Sequence, residues 1–252
     1  MKSKKTYCPV CGFSKFKLLF ESTLKNRDNN PLVVSADLKN TISGLNKHAR
    51  LVTCKSCNLI YTNPREDMKL LMGGYESVKD NEYLSSKKCR MLLNKFHLKQ
   101  LLQFKKTGTL LDVGCFCGFF IEASQRKGFK CFGVEPSQWA KKYAKQKKIK
   151  IIGNTVFDIK NKQFDLITMW DVIEHLPNPK KDLKYINSLL NPQGILVVGT
   201  PDIGNFLVKL LGDRHPFFVR MHITLFTPAN LKYLLSLCGF TTKKVYHYRR
   251  VY

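Results

Sequence analysis

Two patterns of hydrophobic and polar positions divide the chain near residue 109. From Thr109 onward, short apolar runs alternate with longer basic segments of helical period. The runs predict strands and the segments predict helices, an alternation that favours a mostly parallel sheet with right-handed crossovers. A turn is predicted at 191–194. The predicted strands are 110–113, 131–135, 150–152, 165–170, 195–199 and 240–248, and the predicted helices are 119–126, 138–147, 181–190 and 231–237.

The part of the chain before residue 107 has a different pattern. Residues 67–106 carry an apolar stripe of helical spacing, whereas residues 1–66 are polar and rich in turn formers. We therefore expect a small module at 1–66, a helical connector or lid at 67–106 and an α/β domain at 107–252. Tyr75 and Tyr83 of the connector are expected either to cover a ligand or to pack between domains.

Two Cys-x-x-Cys pairs, Cys8 with Cys11 and Cys54 with Cys57, lie in the first module. The two-residue gap lets one turn present both sulfurs to a single metal. The chain has nine cysteines and no apolar signal-peptide core, so metal ligation is favoured over disulfides. The 42 residues between the pairs require an inserted loop or hairpin. The pattern predicts a structural Zn²⁺, and the alternative is four unrelated buried thiols.

The formal charge of +25 raises the question of nucleic-acid binding. It is spread evenly, with 21 basic and 8 acidic residues in the first 110 positions and 22 and 10 in the rest. Of the 43 basic residues 34 are Lys, which also serves as a general surface cation, so a solvated surface is favoured over a nucleic-acid interface. A hydrophobic content of 44% excludes a wholly disordered chain. No stretch is apolar enough to span a bilayer, and we expect a cytoplasmic protein.

The strand predicted at 110–113 ends in a glycine-containing turn that opens a helix. Glycine at such a turn lets the backbone approach a ligand closely. Glu135, which closes the next predicted strand, follows Asp112 by 23 residues. An acidic side chain there can accept the two hydroxyls of a ribose, so this edge is predicted to bind a nucleoside.

Five segments resemble the successive motifs of class I S-adenosylmethionine-dependent methyltransferases: LDVGCFCGFF, FGVEPS, FDLITMWDVIEHLPNP, LLNPQGILVVGTP and HITLFTPANLKYLLSLCGF. CPVCG with VTCKSCNLIYTNPR is similar to the zinc-binding front module of one branch, which includes sugar C-methyltransferases and methyltransferases of surface-polysaccharide and secondary-metabolite pathways. The resemblance implies an α/β, Rossmann-like, mostly parallel sheet with flanking helices, preceded by a small zinc-ribbon-like module. Because the family ends in an antiparallel hairpin, we expect the final antiparallel strand to be missing here.

The resemblance also implies a set of residues around S-adenosyl-L-methionine. The loop from Asp112 would surround its methionine part, Glu135 would hold the ribose, and Asp171 would lie near its amino-acid end. Phe116 departs from the family because it replaces the middle glycine of the usual turn. The implied cofactor-binding residues are Asp112, Gly114, Cys115, Gly118, Glu135, Asn154 and Asp171.

A titratable cluster follows the strand at 165–170. His175 is the first candidate for a general base because the ordinary pKa of histidine lies near neutrality. His222 is expected to approach the same site from the opposite side, and Asp171 is the third catalytic candidate. Some small-molecule O-methyltransferases use a similar Asp-x-x-Glu-His run to hold a divalent metal. A structural role for His175 in capping the turn is equally compatible with its position.

We interpret the chain as an enzyme that methylates O or C of a small molecule, such as a sugar, glycan or lipid-linked intermediate. A rival interpretation is an rRNA or tRNA base methyltransferase whose zinc ribbon binds RNA. The high charge favours it, whereas the scarcity of Arg, the even distribution of charge and the closer match of CKSCNLIYTNPR to the small-molecule branch argue against it. A third is a degenerate cofactor-binding scaffold, which the substitution by Phe116 would suit.

Overall fold

The computed structural model describes residues 5–25, 47–77 and 79–248. Its strands form two sheets. The strands within these ranges are β1 (Phe16–Phe20), β2 (Leu51–Cys54), β3 (Ile60–Thr62), β4 (Gly108–Val113), β5 (Phe129–Val134), β6 (Ile151–Gly153), β7 (Phe164–Trp170), β8 (Leu190–Gly199) and β9 (Thr224–Leu225).

Helices lie before the larger sheet in the chain, between its strands and after its last strand, β8. Short 3₁₀ turns occur at Val156–Asp158, Ile173–His175 and Gly212–Arg214. The α-helices of the described residues are α1 (Met68–Ser77), α2 (Asn81–Ser85), α3 (Lys87–Leu101), α4 (Phe119–Gln125), α5 (Gln138–Gln146), α6 (Pro179–Ser188), α7 (Phe206–Leu211) and α8 (Pro228–Leu237).

The larger sheet has five parallel strands in the order β6-β5-β4-β7-β8. Its central strands are apolar on both faces, as a parallel sheet covered by helices requires; Leu110, Leu166 and Ile167 are fully buried. The α/β architecture and the predicted strands at 110–113, 131–135, 150–152, 165–170 and 195–199 are confirmed within a few residues. The carboxyl ends of all five strands meet at one edge.

Polar side chains fix where the helices of this domain begin. The Ser137 hydroxyl accepts from the N–H of Ala140 at the start of α5, and the Thr227 hydroxyl accepts from the N–H of Asn230 at the start of α8. Such caps satisfy amide groups that have no partner within the helix. Pro228, in the first turn of α8, has no N–H to satisfy.

The smaller sheet is antiparallel, in the order β1-β2-β3-β9. Its first three strands come from the front module, but β9 comes from the far end of the chain, where Thr224 pairs with Tyr61 and Leu225 with Ile60. The sequence pattern did not predict β9, which is only two residues long. The front module is therefore built into the larger domain rather than attached by a linker.

Two expectations are corrected. The strand predicted at 240–248 is wrong, because these described residues form no strand; Val245 and Tyr246 are 40% and 36% exposed and bury no face that would favour pairing. The turn predicted at 191–194 is a bulge within β8: Gln193 has φ +59°, and the register with β7 shifts there.

Part of the insertion expected between the cysteine pairs falls on 26–46, outside the described residues. None of the described helices is long and apolar enough to cross a membrane.

Candidate active site and cysteine cluster

The four cysteines of the front module converge on one point. Sγ of Cys8 lies 3.6 Å from Sγ of Cys57, and Sγ of Cys11 lies 3.5 Å from Sγ of Cys54. All four sulfurs lie within 4.8 Å of one another. A tetrahedral Zn²⁺ with bonds of about 2.3 Å places its sulfurs about 3.8 Å apart. The quartet therefore has the size and donor set of a structural zinc site.

Each pair sits on the same kind of backbone turn. The N–H of Gly12 donates to the carbonyl of Cys8 at 2.9 Å, and the N–H of Asn58 donates to the carbonyl of Cys54 at 3.1 Å. Gly12 and Asn58 both have positive φ, at +77° and +57°. Glycine and asparagine are the residues that adopt this conformation most readily. The residue after each second cysteine thus closes the loop that presents both sulfurs.

The loop after β4 has a shape that only glycine permits at two positions. Gly114 has φ +67°, and a Cβ there would meet the Val172 side chain at 2.6 Å. Gly118 has φ +75°, and a Cβ there would collide with Ile149. Phe116, at φ +46°, adopts the left-handed conformation with a bulky side chain. The contact between Gly114 and Val172 also brings this loop against the turn that follows β7.

Glu135 connects this loop to β5. One carboxylate oxygen accepts from the N–H of Phe116 and the other from the N–H of Ser137, both at 2.8 Å. Burial raises the pKa of Glu135, and these two N–H groups partly offset the effect. Glu135 lies at the strand end predicted to receive a ribose, where it also fixes the loop backbone.

Asp112 lies inside the same edge. Its carboxyl group is buried and accepts from the hydroxyl of Thr168 on β7 at 2.7 Å. Burial raises its pKa to about 7, and the negative charge of Glu135 adds to this rise. The hydrogen bond from Thr168 acts in the opposite direction and lowers the pKa. Asp112 therefore carries a full negative charge only above neutral pH in the ligand-free protein.

Aromatic rings surround the position where the usual glycine is replaced. The Tyr83 ring meets the Phe116 ring edge-on at 4.5 Å and stacks on Phe119 at 5.3 Å. Trp139 lies 5.8 Å from Phe116, and the Arg90 guanidinium lies 3.8 Å from the centre of the Tyr83 ring. The connector thus packs against the loop through Tyr83, and Phe116 is held by aromatic contacts.

A second group of titratable side chains lies beyond β7. Ligand atoms of Glu174, His175 and His222 lie within 4.8 Å of one another. Glu174 is fully buried, and one of its oxygens accepts from the hydroxyl of Thr200 at 2.8 Å. The rings of His175 and His222 are 5.0 Å apart. The two histidines that the sequence analysis selected are therefore neighbours.

Backbone carbonyls decide the tautomer of both rings. Nδ1 of His175 lies 2.8 Å from the carbonyl of Met221, and Nδ1 of His222 lies 2.8 Å from the carbonyl of Phe217. Because a carbonyl only accepts, each Nδ1 carries the proton and donates it. In the neutral rings Nε2 is therefore the atom able to take a proton or bind a metal.

Tyr75 reaches this group from the connector helix α1. Its hydroxyl oxygen lies 2.7 Å from Nδ1 of His175 and shares the Nδ1–H with the Met221 carbonyl. Burial, with the charge of Glu174, raises the pKa of Tyr75 well above its ordinary value, so the phenol stays protonated. The contact joins residues 100 positions apart, and spacing in the sequence gave no signal for it.

The remaining selected residues lie along the same sheet edge. Asp171 follows β7 with φ +55°, and its N–H donates to the Gly199 carbonyl at 2.9 Å. Asn154 is exposed after β6 and accepts from Nζ of Lys141 at 2.7 Å. The Cys115 thiol is buried in the core, so only its backbone faces the loop.

Comparison with known proteins connects this geometry to a family. Residues 82–245 match a family model described as "Methyltransferase domain". Two solved structures share the fold. A methyltransferase from Thermotoga maritima, titled a possible histamine N-methyltransferase, aligns with a TM-score of 0.53 at 23% identity over 64% of this chain and 77% of that one. One from Archaeoglobus fulgidus aligns at 0.52 and 22%, over 64% and 75%.

Curated relatives match a shorter part of the chain. A "Ubiquinone biosynthesis O-methyltransferase" of Actinobacillus pleuropneumoniae is 32% identical over 126 residues, which are 43% of this chain and 53% of that protein. A protein of the same name from Coxiella burnetii is 32% identical over 139 residues, 50% of this chain and 59% of that protein. The chain thus spans between half and three fifths of the length of these two relatives.

Proposed function

The chain belongs to the methyltransferase-domain family, as an S-adenosylmethionine-dependent methyltransferase, and on that basis we propose that it methylates a hydroxyl group of a small-molecule acceptor, with His175 as the general base. The observation that carries the proposal is the histidine pair beside Glu174, next to the glycine loop. The names of the curated relatives support oxygen as the methylated atom. Within this proposal Asp112, Gly114, Gly118 and Glu135 hold the cofactor.

When bound, S-adenosylmethionine supplies an electrophilic methyl group. Nε2 of His175 takes the proton of the acceptor hydroxyl, because its Nδ1 is already protonated. The Glu174 carboxylate, 4.0 Å from Nε2, stabilises the imidazolium cation that forms. The Thr200 hydroxyl orients that carboxylate, and His222 offers a second Nε2 to position the acceptor oxygen. These side chains orient the acceptor for in-line transfer.

The same three side chains could instead bind a divalent cation through two imidazoles and a carboxylate. A cation held there would supply Lewis-acid activation of the acceptor hydroxyl, and His175 would serve as a ligand and not as the base. Activity of chelator-treated protein distinguishes the two cases. If His175 is the base, turnover should not change after chelator treatment that leaves the zinc of the cysteine cluster in place. If a metal activates the acceptor, turnover should be lost, and added Mg²⁺, Mn²⁺ or Zn²⁺ should restore it.

For the front module we propose a structural Zn²⁺ held by Cys8, Cys11, Cys54 and Cys57. Four thiolates leave no open coordination position, so the metal serves folding and not the reaction. One zinc per chain in metal analysis of purified protein supports this assignment. Purified, folded protein with no zinc contradicts it.

The experiment for the function has two stages. Calorimetry with S-adenosylhomocysteine first tests cofactor binding, and transfer of labelled methyl groups is then measured with phenols, nucleotide sugars and bulk RNA. On an accepted phenol, His175→Ala is expected to lower kcat at least about 100-fold, the usual contribution of a general base, and to change cofactor affinity less than twofold. His247→Ala, with a side chain 68% exposed, is the control. Unchanged turnover of His175→Ala, or methylation of RNA alone, contradicts the proposal.

A further inference from the structure

The short helix α7 exposes an apolar surface that the methyl-transfer site does not use. Phe206 is 73% exposed, Leu207 58%, Leu210 66% and Leu211 44%. At 100° per residue these four positions occupy one arc of about 140°. Val208, which is 7% exposed, anchors the opposite side of the helix in the core. The α7 surface, defined as these four exposed side chains, is therefore contiguous and held in place.

Soluble proteins rarely leave such a surface uncovered without a partner. The net charge of the chain favours one kind of partner for this surface over another. Two copies of a chain with a net charge of +25 repel one another, whereas an anionic surface attracts it. Lys209 and Arg214 lie exposed beside the α7 surface, with Asp213 as the acid between them. Leucine and phenylalanine side chains flanked by cations suit the boundary between anionic headgroups and acyl chains.

We propose that the α7 surface docks the enzyme on a lipid bilayer with anionic headgroups. The helix would lie in the interface and not cross it, in agreement with the absence of a membrane-spanning helix among the described residues. Its position in the chain relates this surface to the candidate site. Residues 201–221 connect Thr200, which donates to Glu174, to His222. Val208 of α7 belongs to the same apolar cluster as Phe217, and the Phe217 carbonyl accepts from Nδ1 of His222. Docking through α7 would therefore bring the histidine pair toward the bilayer.

The test measures co-sedimentation of the full chain with vesicles of phosphatidylcholine alone or of phosphatidylcholine mixed with phosphatidylglycerol, an anionic lipid whose surface potential attracts basic residues. Wild type is expected to bind the anionic vesicles and to bind less at high salt. The variant Phe206→Ser/Leu210→Ser is expected to lower the partition constant for vesicles at least about tenfold, because two apolar side chains no longer insert into the bilayer. The matched control is Leu92→Ser on α3, since Leu92 and Leu210 are both 66% exposed.

Three results would overturn the proposal. The first is no binding of wild type to anionic vesicles, and the second is an equal loss of vesicle binding in the α7 variant and in Leu92→Ser. The third is a wild-type dimer in sedimentation velocity that becomes a monomer in the α7 variant but not in Leu92→Ser. The last result would assign the surface to a second copy. Binding of S-adenosylhomocysteine and thermal unfolding are measured in parallel and should not change in either variant. Because vesicle binding needs no turnover, its outcome is independent of the acceptor and of the role of His175.

Discussion

The carboxyl group of Asp112 should make the stability of the ligand-free protein depend on pH. Burial raises its pKa from 3.8 to about 7, although Thr168 donates a hydrogen bond to it, and the charge of Glu135 adds to the rise. The substitution Asp112→Asn removes the titrating group and keeps its size. The amide oxygen can still accept from the Thr168 hydroxyl.

The sign follows from the protons that each state binds. Between pH 3.8 and about 7 the folded state keeps the Asp112 proton and the unfolded state loses it. The free energy of unfolding of wild type therefore falls as pH rises through this window and levels off above it. At about 1.4 kcal/mol per pKa unit, the full difference is about 4 kcal/mol. Asp112→Asn should recover about 4 kcal/mol at pH 8 and about 1 kcal/mol at pH 4.5.

Urea unfolding of both proteins at pH 4.5 and pH 8, without cofactor, measures this difference. Asp165→Asn is the control with the opposite sign, because the N–H of Thr109, with a hydrogen bond from Asn191, lowers the pKa of Asp165 to about 2. Its ionised form stabilises the fold above pH 4, so its loss should destabilise the protein at pH 8. A stability change for Asp112→Asn that is the same at both pH values would refute the reasoning.

Three further substitutions test contacts around the site. Tyr75→Phe removes the phenol hydroxyl that contacts the candidate base. In methyl-transfer assays it should lower kcat by up to about tenfold, which corresponds to the loss of one hydrogen bond, and leave KM unchanged. A change in KM alone would contradict this expectation. If the four cysteines hold a zinc as proposed, Cys54→Ser should release it and lower the melting temperature, while the exposed Cys89→Ser should do neither. Glu66→Gln leaves the guanidinium of Arg220, 1% exposed, without its carboxylate, and should cost about 3–5 kcal/mol in urea unfolding; a cost below about 1 kcal/mol would contradict it.

Periodicity and local motifs predicted the part of the fold in which local sequence and burial agree. The strands of the parallel sheet are continuous apolar runs, and their helices begin at capping side chains such as Ser137 and Thr227. The pattern failed where pairing depends on distant residues. β9 forms because Thr224 meets Tyr61 of the front module. The segment predicted as a strand at 240–248 has no face to bury, since its side chains are mostly exposed.

The candidate site shows the same division. Strand ends are local features, so Asp112, Glu135 and His175 could be selected as candidates from the sequence, and they lie at the expected edge of the sheet. The contact between Tyr75 and His175 could not be found, because nothing in the local sequence of α1 encodes its distance from a turn 100 residues away. The hydroxyl of Thr200 on Glu174 is similarly a product of β7 and β8 lying side by side.

The front module and the acceptor-side histidines share one set of contacts. The carbonyl of Cys57 accepts from the Asn230 side chain at 2.6 Å, which fixes the start of α8 against the cysteine turn. β9, just before that helix, pairs with β3 of the module. The residue that leads into β9, Ile223, donates its N–H to the Glu174 carbonyl at 3.0 Å and directly follows His222. Displacement of the cysteine turn would therefore move β9, and β9 cannot move without disturbing the geometry of Glu174 and His222. A metal held by the four cysteines would in this way help to determine whether the acceptor site is assembled.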